Sequence, residues 1–166
     1  MKLSTQAVRD RFIDEFKSEA AITQRVLKAL PPKRAAYRPH KKSMNLGDLA
    51  WHIVTAESWF IGGMLRGSFD NGMPADVPKK APKNFKAMAG VHKHLTAARV
   101  RELKRAKPAA LAKRTNFFGM AKLPALEYMR WNISHTIHHR GQLCVYLRLV
   151  KAKVPSVYGP SADTGA

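Results

Sequence analysis

Apolar residues return every three or four positions through four long stretches of this 166-residue chain, and a proline or glycine lies at or near the end of each of the first three. Strands bury alternate residues, whereas this spacing places apolar side chains on one side of a helix, so the pattern predicts helices packed side by side. Val8, Phe12, Phe16, Ala20, Leu27 and Leu30 mark a first helix from about Thr5, stopped by Pro31-Pro32. A basic loop containing Pro39 follows. Asn45 reads as the N-cap of a second helix, about Leu46 to Leu65, with Asp48 in its first turn, Gly62-Gly63 weakening its end and Gly67 as the stop. Gly72, Pro74, Pro78 and Pro82 make Ser68 to Lys83 a long connection. Asn84 caps a third helix to about Ala106. A short helical turn is read over Ala109 to Lys113 and a loop over Thr115 to Gly119. Pro124 suits the first turn of a last helix to about Lys151. No segment shows convincing period-2 alternation. The expectation is an all-α four-helix bundle, one domain over residues 1–166.

The last helix carries His135 and His139 in the run Ser134-His135-Thr136-Ile137-His138-His139-Arg140. Residues four apart lie about 40° apart around a helix, so these imidazoles can close on one divalent ion. They supply half a site. Helix two contributes His52, on the stripe of Leu49, Ala56, Trp59, Phe60 and Gly63 that faces inward. A lone inward histidine is ordinarily a core residue satisfied by one hydrogen bond. Three inward histidines on helices that a small bundle brings together make a metal site an equal reading.

The other candidates fall away by angle. His138 lies about 100° from His139, which suits an exposed or supporting role. Cys144, about 180° from His135, reads as a core thiol. His40, His92 and His94 are read as surface or loop residues. Thr136 stands where zinc proteases carry a glutamate, so that motif supplies no general base. Glu57 is about 140° around from His52 and reads as a solvent-exposed or structural acid. Three neutral nitrogens leave the ion's charge uncompensated, which suits a thiolate, carboxylate or hydroxide ligand. Trp59, Trp131 and Tyr146 are candidate pocket walls.

Charge restricts the partners. The net charge is +19: ten Lys or Arg face one acid from Lys79 to Lys107, and five face none from Pro31 to Asn45. Such a surface attracts polyanions, acidic membranes or anionic small molecules, yet no nucleic-acid-binding motif accompanies it. A nucleic-acid- or anion-binding bundle with a structural or vestigial metal is therefore the alternative function. No apolar run approaches a bilayer-spanning length, the N-terminus from Met1 lacks an apolar leader, and one cysteine forms no internal disulfide, so a cytoplasmic protein is expected. Leu126, Ile133, Ile137 and Cys144 oppose the histidine side of the last helix. A helix apolar on both sides suggests a homodimer.

Asn45-Leu46-Gly47-Asp48-Leu49-Ala50-Trp51-His52-Ile53, His138-His139-Arg140-Gly141-Gln142-Leu143 and Val154-Pro155-Ser156-Val157-Tyr158-Gly159-Pro160-Ser161-Ala162-Asp163 resemble the DinB family of DinB/YfiT-like metalloenzymes. Leu30-Pro31-Pro32 and Tyr37-Arg38-Pro39 resemble it too. The resemblance implies a four-helix bundle, up-down-down-up and often dimeric, with a divalent metal, zinc or nickel foremost, on His52, His135 and His139. It also implies a thiol-dependent transferase, isomerase or hydrolase acting with a low-molecular-weight thiol on a small substrate, for which the basic surface suggests an anionic group. A stress-related scaffold whose site has lost its chemistry is a further reading.

Overall fold

Four long helices dominate the computed structural model, which describes residues 4–70 and 72–165. They are α1 (Thr5–Ala29), α2 (Leu46–Arg66), α3 (Phe85–Arg105) and, after a short α4 (Pro108–Ala112) and the strands β1 (Arg114–Phe117) and β2 (Ala121–Pro124), α5 (Tyr128–Leu149). Residues 1–3, part of the stretch read above as lacking a leader, lie outside the described residues. No helix among the described residues is long and apolar enough to cross a membrane.

The starts of the helices follow from local chemistry. Ser4, Asn45 and Asn84 each accept a hydrogen bond from the backbone N–H three residues on, so a side-chain oxygen satisfies an amide that the first turn leaves unpaired. Gly67 ends α2 in the left-handed conformation (φ 75°), which costs least without a β-carbon. Gly62 and Gly63 do not weaken the end of α2 as expected. A β-carbon at Gly63 would lie 2.5 Å from the Phe69 ring and one at Gly62 would lie 2.6 Å from Pro74, so these glycines let the connection after α2 press onto the helix.

Two apolar clusters hold the bundle. One gathers Leu27, Leu30, Leu46, Leu49, Phe85 and Leu147. The other gathers Phe16, Phe60, Ile61, Phe69, Leu103 and Tyr128. Each such side chain contributes about 1.5–3 kcal/mol when fully buried. Along α1, α2 and α5 polar residues lie between them: Thr23 and Gln24, Glu57, and Thr136, His139 and Arg140.

Two expectations need correction. Thr115 to Gly119 is not an irregular loop: Arg114 to Phe117 pair antiparallel with Ala121 to Pro124, so the chain is mostly rather than wholly helical. Phe118 (φ 49°) and Gly119 (φ 75°) make the turn in left-handed conformations, as a tight hairpin requires. The Tyr128 hydroxyl, 2.9 Å from the Thr115 carbonyl oxygen, ties the hairpin to α5. Pro124 ends β2 instead of opening the helix; a 3-10 turn over Ala125–Glu127 precedes Tyr128. On the side of α5 opposite the histidines, burial within one chain is uneven. Leu126 and Ile133 are buried, but Ile137 is 37% exposed and Cys144 only half-buried.

Candidate metal centre

His52 on α2 and His135 and His139 on α5 converge. One ligand nitrogen from each lies within 4.8 Å of the other two. The ring centroids are 4.9 Å apart for His52 and His135, 4.7 Å for His52 and His139, and 4.4 Å for His135 and His139. The i, i+4 spacing puts the α5 pair on one face, and the packing of α2 against α5 carries His52 to it.

Electrostatics keep lone pairs available. Burial pushes His135 down to about 4, and the neighbouring His139, His52 and His138 rings push the same way. Burial, then His139, lowers His52. The Gln142 Oε1 atom can only accept, so His139 Nδ1 donates to it at 2.7 Å and Nε2 is left as the free acceptor. The same bond fixes the ring's orientation.

The arrangement fits a cation. His52 Nε2 and His135 Nε2 are 3.0 Å apart. Two nitrogens each about 2.0–2.1 Å from one ion stand about 3.0–3.4 Å apart at ordinary coordination angles. Two unprotonated nitrogens at that separation repel unless a proton or a positive ion lies between them. His135 Nδ1 is buried with no hydrogen-bond partner among the described residues, so none of them pins its proton.

Beside His135 opens a cavity of about 580 Å³ lined by Phe60, Glu127, Arg130, Trp131, Ser134 and His135. Of the three expected walls only Trp131 lines it. Trp59 stacks on Phe118 of the hairpin turn (centroids 6.1 Å, planes 6° apart), and Tyr146 is buried, its hydroxyl donating to the Met44 carbonyl. Arg130 and Glu127 went unnoticed in the sequence, where neither belongs to a motif. Arg130 forms no ion pair among the described residues.

The remaining sequence candidates separate cleanly. His138 is exposed and outside the trio, as are His40 and His94. Cys144 sits against the core away from the histidines, and burial pushes its thiol up while Arg140 pulls the other way. His92 contradicts its surface reading. It is 1% exposed, its Nε2 lies 2.9 Å from Glu57 Oε2, and Gln24 donates to its Nδ1. Glu57 is therefore a structural acid and not a solvent-exposed one: 3% exposed, it also accepts from Thr136 Oγ1 at 3.2 Å. Arg140, 1% exposed, donates to the Glu19 carboxylate, to the Glu19 carbonyl and to Thr23. Neither network announces itself in sequence, because each joins residues from different helices.

Comparison with known proteins places these features. The model of the DinB family matches residues 1–166. Uncharacterized protein YrdA of Bacillus subtilis is 29% identical over 161 residues, covering 95% of this chain and 92% of that one. A crystal structure of a DinB-like protein from Bacillus cereus superposes with a TM-score of 0.74 at 27% identity, over 89% of this chain and 95% of that one. That of the DinB-like protein YjoA from Bacillus subtilis gives 0.72 at 21% identity over 90% and 99%, a likeness of fold.

Proposed function

Because this chain belongs to the DinB family, we propose that it is a divalent-metal-binding protein whose ligands are His52, His135 and His139, and that the site is catalytic. The observation that carries the reading is the convergence of three imidazoles from two helices, with His52 and His135 held neutral by burial. The three-nitrogen set suits zinc or nickel, and leaves positions open for a further ligand. When bound, such an ion supplies Lewis acidity toward a thiolate, a carboxylate or water.

The chain's own residues divide the remaining work. Gln142 holds His139 in the ligating tautomer. Trp131 and Phe60 wall the apolar part of a substrate in the cavity beside His135, and Arg130 draws an anionic group to its mouth. Glu57 is excluded as a general base by its burial between His92 and Thr136. Exposed Glu127 is then the one carboxylate lining the cavity, and among the described residues no buried acid is free to serve as a base beside the trio; a reaction in which the nucleophile arrives as an anion is favoured: thiol-dependent transfer from a low-molecular-weight thiol, ahead of hydrolysis. The test is conjugation of a small thiol to a small electrophile, with hydrolysis of an ester followed in parallel. Conjugation lost on chelation and restored by zinc or nickel supports the transferase reading; rates indifferent to chelator overturn it.

The bundle is read as up-down-down-up. A cytoplasmic homodimer, with exposed Ile137 and Val145 of α5 covered by a second copy, completes the proposal.

A further inference from the structure

The two cation-rich runs of the sequence are far apart in the chain but adjacent in the fold. Pro32 and Ala35 from the loop after α1 and Pro82 and Lys83 from the loop before α3 line one groove of about 310 Å³. Backbone hydrogen bonds from Leu46 to Tyr37 (2.8 Å) and from Gly47 to Ala35 (2.9 Å) fix the first loop against the start of α2. Val77, buried in the same apolar cluster as Leu30 and Leu46, anchors the second.

This end of the bundle therefore presents Lys33, Arg34, Arg38, Lys41 and Lys42 on one side, and Lys79, Lys80, Lys83 and Lys86 on the other, all exposed. None of the nine enters an ion pair among the described residues. The nearby acids are otherwise engaged. Asp48, in the groove, takes a hydrogen bond from the Asn45 amide at 2.6 Å, and Asp76 takes one from buried Arg99 at 2.6 Å. A surface that keeps nine like charges together with the Asp48 carboxylate as the one acid in the groove is attracted to a polyanion.

We propose that this surface binds the phosphate backbone of duplex nucleic acid without sequence preference. Charge alone draws such a patch to an acidic bilayer, but firm attachment there adds exposed apolar side chains beside the cations. Over residues 31–45 and 79–86 Phe85 is buried, Tyr37 packs edge-on against Tyr146, and Met44 alone among the described large apolar residues is exposed. The same absence of exposed aromatic platforms disfavours a single strand, whose bases stack on such rings. What remains is a set of point charges on loops, suited to phosphates spaced along a duplex. The proposal is independent of the metal reading.

The test is fluorescence anisotropy of the full chain with a labelled duplex DNA of mixed sequence, with phosphatidylserine vesicles as a second arm. With six or more phosphates engaged, affinity falls by about a thousandfold or more between 50 and 200 mM salt. The combined Lys33→Glu, Lys41→Glu, Lys79→Glu, Lys83→Glu variant should lose binding by about a hundredfold or more. A control carrying Arg11→Glu, Lys107→Glu, Lys113→Glu and Lys122→Glu, with the same change in net charge, should lose about tenfold or less. Circular dichroism establishes that both variants are folded. Equal losses in the two variants, no duplex binding by the native chain at 50 mM salt, or tighter binding to the vesicles than to the duplex would each overturn the proposal.

Discussion

Gln142 Oε1 lies 2.7 Å from His139 Nδ1, one helical turn along α5, and this hydrogen bond decides which nitrogen of the ring faces the other two histidines. Partners of this kind orient a ligand without touching the ion, and losing one typically weakens metal binding about 10–100-fold. Gln142→Leu should therefore lower zinc affinity in that range, measured by competition with a chromophoric chelator, and leave helix content unchanged. Affinity within about twofold of the native value would show that the ring is oriented by packing alone.

Acid should destabilise the metal-free protein through His135. Its folded pKa, about 4, lies below the ordinary value of 6.5, so between those limits the unfolded chain binds a proton that the folded chain refuses. Stability then rises with pH across this window: it is lost as pH falls from about 6.5 toward 4, and His135 adds no pH dependence above. His52 acts in the same direction. Urea midpoints of metal-free protein at pH 4.5, 5.5 and 7 check this against His135→Gln, in which the slope should shrink. An identical slope in the variant would remove His135 from the account.

The Glu57 and His92 pair is a stability element. His92→Ala would leave the Glu57 carboxylate buried with Thr136 as its remaining hydrogen-bond donor. Removing a hydrogen bond to a buried charged group costs about 1.5–3 kcal/mol. Urea denaturation should show a loss of that order with metal stoichiometry retained. A loss below about 0.5 kcal/mol would fit the surface histidine that the sequence suggested.

Two glycines in helices should respond with opposite sign. Gly63→Ala drives a methyl group to 2.5 Å from Phe69, itself 1% exposed and packed among aromatic rings, and should destabilise by about 1–3 kcal/mol. A β-carbon at Gly90 meets nothing within 4 Å, so Gly90→Ala should stabilise α3 by about 0.5–1 kcal/mol. Thermal midpoints measure both. A neutral Gly63→Ala would mean that the Phe69 connection shifts freely.

What could be read from sequence was whatever one helix carries by itself. Asn45 and Asn84 reveal their caps because the amides they accept from are three residues away. His135 and His139 reveal half a centre because helical spacing fixes their common face, and His52 follows from the inward face of α2. The hairpin stayed hidden because each strand is four residues long and β1 buries one fully, Thr115, while Phe117 packs sideways against Trp131 and Phe69. His92 and Arg140 were hidden for a different reason: Glu57 and Glu19, which accept their hydrogen bonds, lie on other helices, and no local pattern distinguishes a buried cation or imidazole from a solvated one.

The central claim is that His52, His135 and His139 form one metal centre. Its most direct measurement is elemental analysis of protein purified without an affinity tag, loaded with zinc and freed of excess, for the native chain, His139→Ala and His138→Ala. The account predicts about one ion per native chain and per His138→Ala chain, and none in His139→Ala at unchanged helix content. Equal metal content in the native chain and His139→Ala, or none in the native chain, would contradict it.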